Sequence, residues 1–362
     1  MTGDYPIPSP SVFAKSFNER YLDEIRFSGL EASSLKALGE HKGRQDLFAT
    51  RAPEILETLK RLAIIESAES SNRLEGITAP RERVEALVLR PTAPANRSEQ
   101  EIAGYRDALN LIHEAALDMS FTPNVVLQLH AMMYRFQPGF GGRWKMTGNE
   151  IVERNPDGTV RRVLFTPVTP VSTPQAMVDL AEGYARAADH QREPLVMVPL
   201  AVLDFLCVHP FTDGNGRVSR LLTQLLLYHH GFAVGRYVSL ERVIEGSKET
   251  YYEALQASSA GWHEGRHDPH PWLSYFWGVL LAAYREFEER VGAIREAPGA
   301  KTSLIEQAVR RRSRPFSISE IEAECPGVSR DMVRHVLRQM KARGEIEPRG
   351  KGRRATWARV AT

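Results

Sequence analysis

The chain is poor in several features that would set its class. Its 362 residues hold only two cysteines, Cys207 and Cys325, too few for a disulfide framework. No apolar run reaches the ~18–20 residues that a membrane span needs. The N-terminus, MTGDYPIPSPSVF, lacks the basic start and apolar core of a secretory signal. The expectation is therefore a cytoplasmic protein with two reduced, packed thiols and no membrane partner. No GxxxxGK(S/T) segment occurs, which excludes a Walker-type phosphate loop. Net charge is also small, at +2, but it is unevenly spread. Residues 301–362 hold fifteen Lys/Arg against seven Asp/Glu, a surplus of eight that leaves −6 on the first 300 residues. A basic segment behind an acidic body points to a separate module with its own partner.

What is present is an ordinary globular composition, 42% apolar and 25% charged, and length enough for two or three domains. Residues 1–18 are rich in Pro and Ser and are expected to run extended. Over 53–74, Ile55, Leu59, Leu62 and Ile65 recur at helical spacing, and Gly76 supplies a stop. Further helices are predicted at 99–117 and 122–135. Residues 149–165 alternate β-formers around Asn155-Pro156-Asp157-Gly158 and predict a β-hairpin. Helical pattern returns at 174–189. Residues 195–208, LVMVPLAVLDFLCV, are apolar on nearly every face and predict a fully buried helix. Leu221, Leu222, Leu225 and Leu226 predict another, and a helical pair covers 247–260 and 271–296.

Between those two buried helices lies HPFTDGNGRVSR, residues 209–220. Each residue type there suits phosphate chemistry. A loop entering a helix at Gly214-Asn215-Gly216 presents unpaired N–H groups at the positive end of the helix dipole, a cradle for a polyphosphate. Asp213 is a hard oxygen ligand suited to Mg²⁺. Arg217 and Arg220, three apart, share a helical face and can grip outer phosphates. His209 can accept a proton near neutral pH, and Phe211 reads as a core plug.

These residues match the signature of Fic proteins, HxFx(D/E)GN(G/K)RxxR, at every specified position. The stretch from about 20 to 290 also resembles the helical Fic core with its β-hairpin flap. The resemblance implies a mainly α fold and transfer of AMP from ATP to a hydroxyl of a target protein, with the chain itself as one candidate target. It assigns His209 as base, Asp213 as Mg²⁺ ligand, Gly214 to Gly216 as phosphate cradle, and Arg217 and Arg220 as ligands of the β and γ phosphates. Tyr251 is placed near the adenine, and Asn149, Ile151 and Val152 at the flap edge that aligns the target. Ser71-Asn72-Arg73-Leu74-Glu75-Gly76 matches the family's inhibitory pattern, (S/T)xxxE(G/N), so Glu75 is expected to pair with Arg220 and misplace the ATP phosphates. The same glutamate also suits a water-orienting role in removing AMP, or the fold can serve another nucleotidyl or phospho-group transfer. A homodimer is implied by resemblance alone.

The implied organisation is an N-terminal helical region with the inhibitory helix (1–98), a catalytic domain (99–297) and a C-terminal domain (300–362). The Pro298-Gly299 junction separates the last two. Three helices, the last from Ser329 to Arg343, and a hairpin around a basic turn at Arg349 to Arg354 are the layout of a winged helix-turn-helix. Arg330, Arg334, Arg338, Lys341 and Arg343 suit DNA phosphates, with a regulator that docks DNA or protein as the rival function. One motif is read as a decoy. His263 to His267 spells HExxH, but Gly261, Gly265 and Pro269 oppose the helix a zinc site requires.

Overall fold

The computed structural model describes residues 14–362 without 52, 91, 156, 158, 297–299, 311, 313–314, 326–327, 351–355 and 361–362. Most of the Pro/Ser-rich start, the centre of the 155–158 turn, the Pro298-Gly299 junction and most of the basic turn at 349–354 lie outside the described residues. Along the chain run α1 (Glu19–Glu24), α2 (Gly29–Arg51), α3 (Pro53–Leu74), α4 (Arg81–Leu89), α5 (Arg97–Ala115) and α6 (Pro123–Met133). The strands β1 (Ile151–Arg154) and β2 (Val160–Phe165) follow. Then come α7 (Thr173–Asp189), α8 (Pro194–Val208), α9 (Asn215–His229), α10 (Leu240–Gly246), α11 (Lys248–Ser259) and α12 (His270–Glu296). Contacts divide the chain into two units, residues up to Leu47 with Leu56–Phe287, and Phe48–Ile55 with Glu288–Thr362.

In the first unit α8 is the central rod. Every residue from Leu195 to Val208 is buried, as an all-round apolar helix requires. Pro194 starts it and Pro199 sits inside it. Proline has no N–H, so Pro199 leaves Leu195 O without its helical donor. Trp277 Nε1 takes that place at 2.7 Å, and Trp272 Nε1 donates to Pro199 O at 2.8 Å. Two indoles on α12 thereby hold a helix that proline would otherwise weaken. α9 packs on α8 and α5, and its residues from Arg217 to Tyr228 are buried. The hairpin pairs antiparallel, with Ile151 opposite Phe165 and Val152 opposite Val163.

The first described residues are pinned to α8 by a polar cluster. Ser16 N–H and Oγ donate to the Asp204 carboxylate at 3.1 and 2.5 Å, and Trp262 Nε1 donates to it at 2.6 Å. Ser16 Oγ also lies 2.9 Å from His267 Nε2. The HExxH segment is a turn, with Gly261 and Gly265 both at positive φ. Its two histidines part company, His263 stacking on Phe165 and His267 on Tyr21.

The second unit contains α13 (Ala300–Arg310), α14 (Ile318–Glu324) and α15 (Arg330–Ala342), then an antiparallel pair, β3 (Ile346–Arg349) and β4 (Thr356–Arg359). Its own core includes Ile305, Phe316, Ile321, Val333, Leu337 and Met340. Ser317 and Glu320 form a capping box that starts α14. Cations expected to face DNA phosphates also meet acids: Arg330 meets Glu322, Arg334 meets Asp331, and Arg343 meets Glu306 and Glu345.

Candidate active site

Residues 209–214 connect α8 to α9. His209 caps α8 in the left-handed region, at φ 51° and ψ 61°, a costly backbone for a residue with a Cβ. Asn215 staples the loop, its Oδ1 accepting from Phe211 N–H at 2.9 Å and its Nδ2 donating to Phe211 O at 2.7 Å. That side chain closes the loop instead of facing a ligand. Phe211 stacks on His130 and Trp144, with ring centroids 3.7 and 5.3 Å away. At Gly214, φ is 84° and a Cβ would strike Met133 and Tyr134, so glycine is required. No side chain caps α9, which leaves the N–H groups of its first turn for an anion.

The two arginines meet different partners. Arg220 is 3% exposed. Its Nε donates to Ser71 Oγ, and its Nη2 to Ser71 O and Glu75 Oε1, each at 2.8 Å. Burial opposes its charge, but the Glu75 carboxylate together with Tyr251 and Tyr105 outweighs this and holds the guanidinium pKa above the ordinary value. Glu75 follows the last residue of α3, where Gly76 turns at φ 78° and Ile77 N–H closes onto Asn72 O at 3.0 Å. A Cβ on Gly216 would collide with Glu75 Oε1. The carboxylate therefore lies over the first turn of α9.

Arg217 differs from expectation. It has no exposed surface, and its Nη1 donates to Glu101 Oε2 at 2.5 Å and to Asn72 Oδ1 at 3.3 Å. Its Nη2 donates to Tyr134 OH at 2.7 Å, and Tyr134 OH donates to Asp213 Oδ2 at 2.9 Å. The shared face predicted by spacing exists, but α5 supplies a carboxylate to one of the two cations and draws it inward. In this arrangement Arg217 orients Asp213 through Tyr134. The Asp213 side chain is 57% exposed. No cluster of three or more His, Cys, Asp or Glu suited to a metal occurs among the described residues. A cation at Asp213 would rest on one carboxylate plus ligand oxygens, the manner of Mg²⁺.

His209 is held neutral. Burial lowers its pKa to about 4, and the Lys145 ammonium acts the same way. The Leu206 carbonyl and the Glu75 and Asp213 carboxylates oppose that shift. A neutral imidazole is the form that accepts a proton.

Next to the end of α8 is a cavity of about 330 Å³, lined by Ile151, Val152, Leu206, Cys207, Tyr252 and Leu255 among others. Tyr251 is buried against Trp272 and Tyr275 and does not line this cavity; its neighbour Tyr252 does. The helical spacing of Tyr252, Leu255, Gln256 and Ser259 was a legible signal for that face. Asn149 precedes β1, and its side chain is engaged with the loop instead of free at the flap edge. Its Nδ2 donates to Phe211 O at 3.2 Å, and its Oδ1 accepts from Lys145 Nζ at 3.0 Å. Lys145, Glu101 and Tyr134 escape sequence reasoning, because nothing local marks them as neighbours of the loop.

Residues 120–227 match the Fic/DOC family model. Among curated relatives, the protein adenylyltransferase fic-1 of Caenorhabditis briggsae is 27% identical over 161 residues, covering 44% of this chain and 29% of that protein. The protein adenylyltransferase Fic of Nematostella vectensis is 23% identical over 199 residues, covering 53% of this chain and 42% of its own. The chain thus spans less than half the length of either. A Fic family protein from Desulfovibrio desulfuricans has the same fold over 93% of this chain and 98% of its own, at 20% identity and a TM-score of 0.63. A Fic domain containing signaling protein from Bacteroides thetaiotaomicron covers 72% of this chain and 98% of its own, at 20% identity and a TM-score of 0.59. Residues 120–227 of this chain are a Fic/DOC family domain, homologous to those of protein adenylyltransferases.

Proposed function

We propose that the chain is a protein adenylyltransferase that moves AMP from ATP to a Ser, Thr or Tyr hydroxyl, with Glu75 holding it in a low-activity state. The observation that carries this reading is the complete HPFTDGNGRVSR segment, folded with His209 on a fixed turn and the uncapped start of α9 five residues beyond Pro210. The apolar cavity at Val152, Tyr252 and Leu255 suits an adenine ring. The triphosphate then runs along the first turn of α9, toward Arg220. His209 accepts the proton of the attacking hydroxyl. The hydroxyl oxygen bonds to the α-phosphorus as the bond from that phosphorus to the bridging oxygen breaks, and pyrophosphate departs. Asp213, steadied by Tyr134, would hold Mg²⁺, which neutralises phosphate charge.

The Glu75 carboxylate lies where an outer phosphate would meet Gly216 and Arg220. Two anions do not share one cation and one helix N-terminus cheaply, so ATP binds with its phosphates displaced and in-line attack is lost. Glu75→Gly is expected to raise automodification with labelled ATP and Mg²⁺, with His209→Ala in the same background abolishing it. Intact-mass measurement with each nucleoside triphosphate identifies the transferred group. An inactive Glu75→Gly protein, or transfer that survives His209→Ala, overturns the reading. For residues 301–362, three helices and a hairpin with a net surplus of eight positive charges support a winged helix that docks DNA. Full-chain binding to duplex DNA that weakens with added salt is the expected result.

A further inference from the structure

Lys145 is 2% exposed, a rare state for an ammonium group. It has no carboxylate in ion-pair range among the described residues. Its Nζ instead donates to Val208 O and to Asn149 Oδ1, both at 3.0 Å. Its backbone N–H donates to Pro210 O at 2.9 Å, and Asn149 Nδ2 donates to Phe211 O at 3.2 Å. Lys145 and Asn149 thus hold the carbonyls of Val208, Pro210 and Phe211, which bracket His209 on both sides. Those carbonyls belong to the C-terminal end of α8 and the turn beyond it, where helix carbonyls lack intrahelical donors and a cation is favoured. The residue enclosed by this brace, His209, is one of two described non-glycine residues at positive φ, the other being Gln191, and such a conformation persists only when its surroundings impose it.

We propose that Lys145 is a positioning residue for His209, its buried ammonium locking the left-handed turn so that the imidazole is fixed in place for proton transfer. Asn149 anchors the ammonium and extends the brace to Phe211. The consequence for reaction rests on His209 being the base, as argued above; the brace itself is a property of the loop without nucleotide. Charged groups acting on the imidazole are Lys145 ahead of the hairpin, Glu75 after α3 and Asp213 on the loop. Of these, Lys145 is the one that disfavours the protonated ring.

The test uses the full chain with labelled histidine, read by NMR from pH 7.5 down to 4.5 without ATP or Mg²⁺. In the parent, His209 is expected to stay neutral over most of that range. In Lys145→Met its protonation midpoint is expected to rise, because the one charge that disfavours the protonated ring is gone, while burial still holds it below the ordinary ~6.5. In the Glu75→Gly background, Lys145→Met lowers kcat for AMP transfer on the order of 10²-fold with little change in KM for ATP, the cost of about 1 Å of misplacement. Lys145→Arg keeps the charge and recovers part of the loss. Asn149→Ala gives a smaller kcat loss with little movement of the midpoint, and carries the rate test if Lys145→Met does not fold. An unmoved His209 midpoint in folded Lys145→Met, or unchanged kcat in both Lys145→Met and Asn149→Ala, overturns the proposal. Because the titration needs no activity, a chain that transfers no AMP at all sinks the adenylyltransferase reading while leaving the brace to be judged by NMR.

Discussion

Glu75 Oε1 lies 2.8 Å from Arg220 Nη2 and stands over Gly216 at the first turn of α9. One carboxylate therefore meets both the buried cation and the uncapped helix end that a terminal phosphate would need. The pair is local in space but 145 residues apart in the chain.

With the nucleotide placed as proposed, only a third phosphate would reach the place of the Glu75 carboxylate, so Glu75→Gly is expected to tighten ATP binding about tenfold, equivalent to ~1.4 kcal/mol. Affinity for AMP should be unchanged. Calorimetric titration of parent and variant with ATP, ADP and AMP checks this, and equal gains for all three would contradict it.

Glu101 is expected to matter for stability more than for nucleotide binding. It is buried beside an Arg217 that has no access to water. Glu101→Ala strands that guanidinium, and breaking a buried pair in this way costs about 3–5 kcal/mol. Urea denaturation should show the loss as a lower midpoint with little change in slope. The exposed pair Arg20–Glu24 provides the contrast, since its removal should change stability by less than about 1 kcal/mol.

Tyr252 and Tyr251 are predicted to separate. Tyr252→Ala opens the cavity at β1 and should raise KM for ATP severalfold while leaving kcat nearly intact, the mark of lost uniform binding. Tyr251→Ala removes a buried ring from under Arg220 and should lower the melting temperature instead. Steady-state kinetics in the Glu75→Gly background, with thermal melts of each variant, tests the split.

The Asp204 cluster predicts a specific pH dependence. Burial raises the Asp204 pKa to about 6, although donors from Ser16 and Trp262 oppose the shift. The native state thus holds this proton more tightly than the unfolded chain does. Its contribution to stability grows as pH falls from about 6 toward 4, and is lost as pH rises through 6. Burial lowers the His267 pKa to about 4, so its contribution runs the other way, present above ~6.5 and lost as pH falls toward 4. The two slopes offset in the parent. In Asp204→Asn only the histidine slope remains. Relative to that variant the parent should gain on the order of 1.4 kcal/mol per pH unit between about 6 and 4. A pH-independent difference in unfolding free energy would rule this out.

Much of the helical frame was legible because it rests on short-range periodicity. The buried α8, the buried α9 and the hairpin all announce themselves through apolar spacing and turn residues. α2 and α4 were not expected. α2 carries Gly39 and Gly43 and buries little apolar surface, so no clear stripe marks it. The repair of Pro199 by Trp277 was likewise invisible, because the donor lies 82 residues away.

At the site, the sequence alone determined which chemical groups stand close together along the chain: a histidine, a carboxylate, two glycines and two arginines within twelve residues. It also determined that Gly214 could make the turn into α9, since that depends on one residue's backbone freedom. Tertiary structure decided what each group meets. α5 brings Glu101 to Arg217, α3 brings Ser71 and Glu75 to Arg220, and the segment before β1 brings Lys145 to the backbone that flanks His209. The reason is physical. Residue type and spacing set conformation and the face of a helix, but the charge state and freedom of a buried ionisable group depend on partners delivered by other elements.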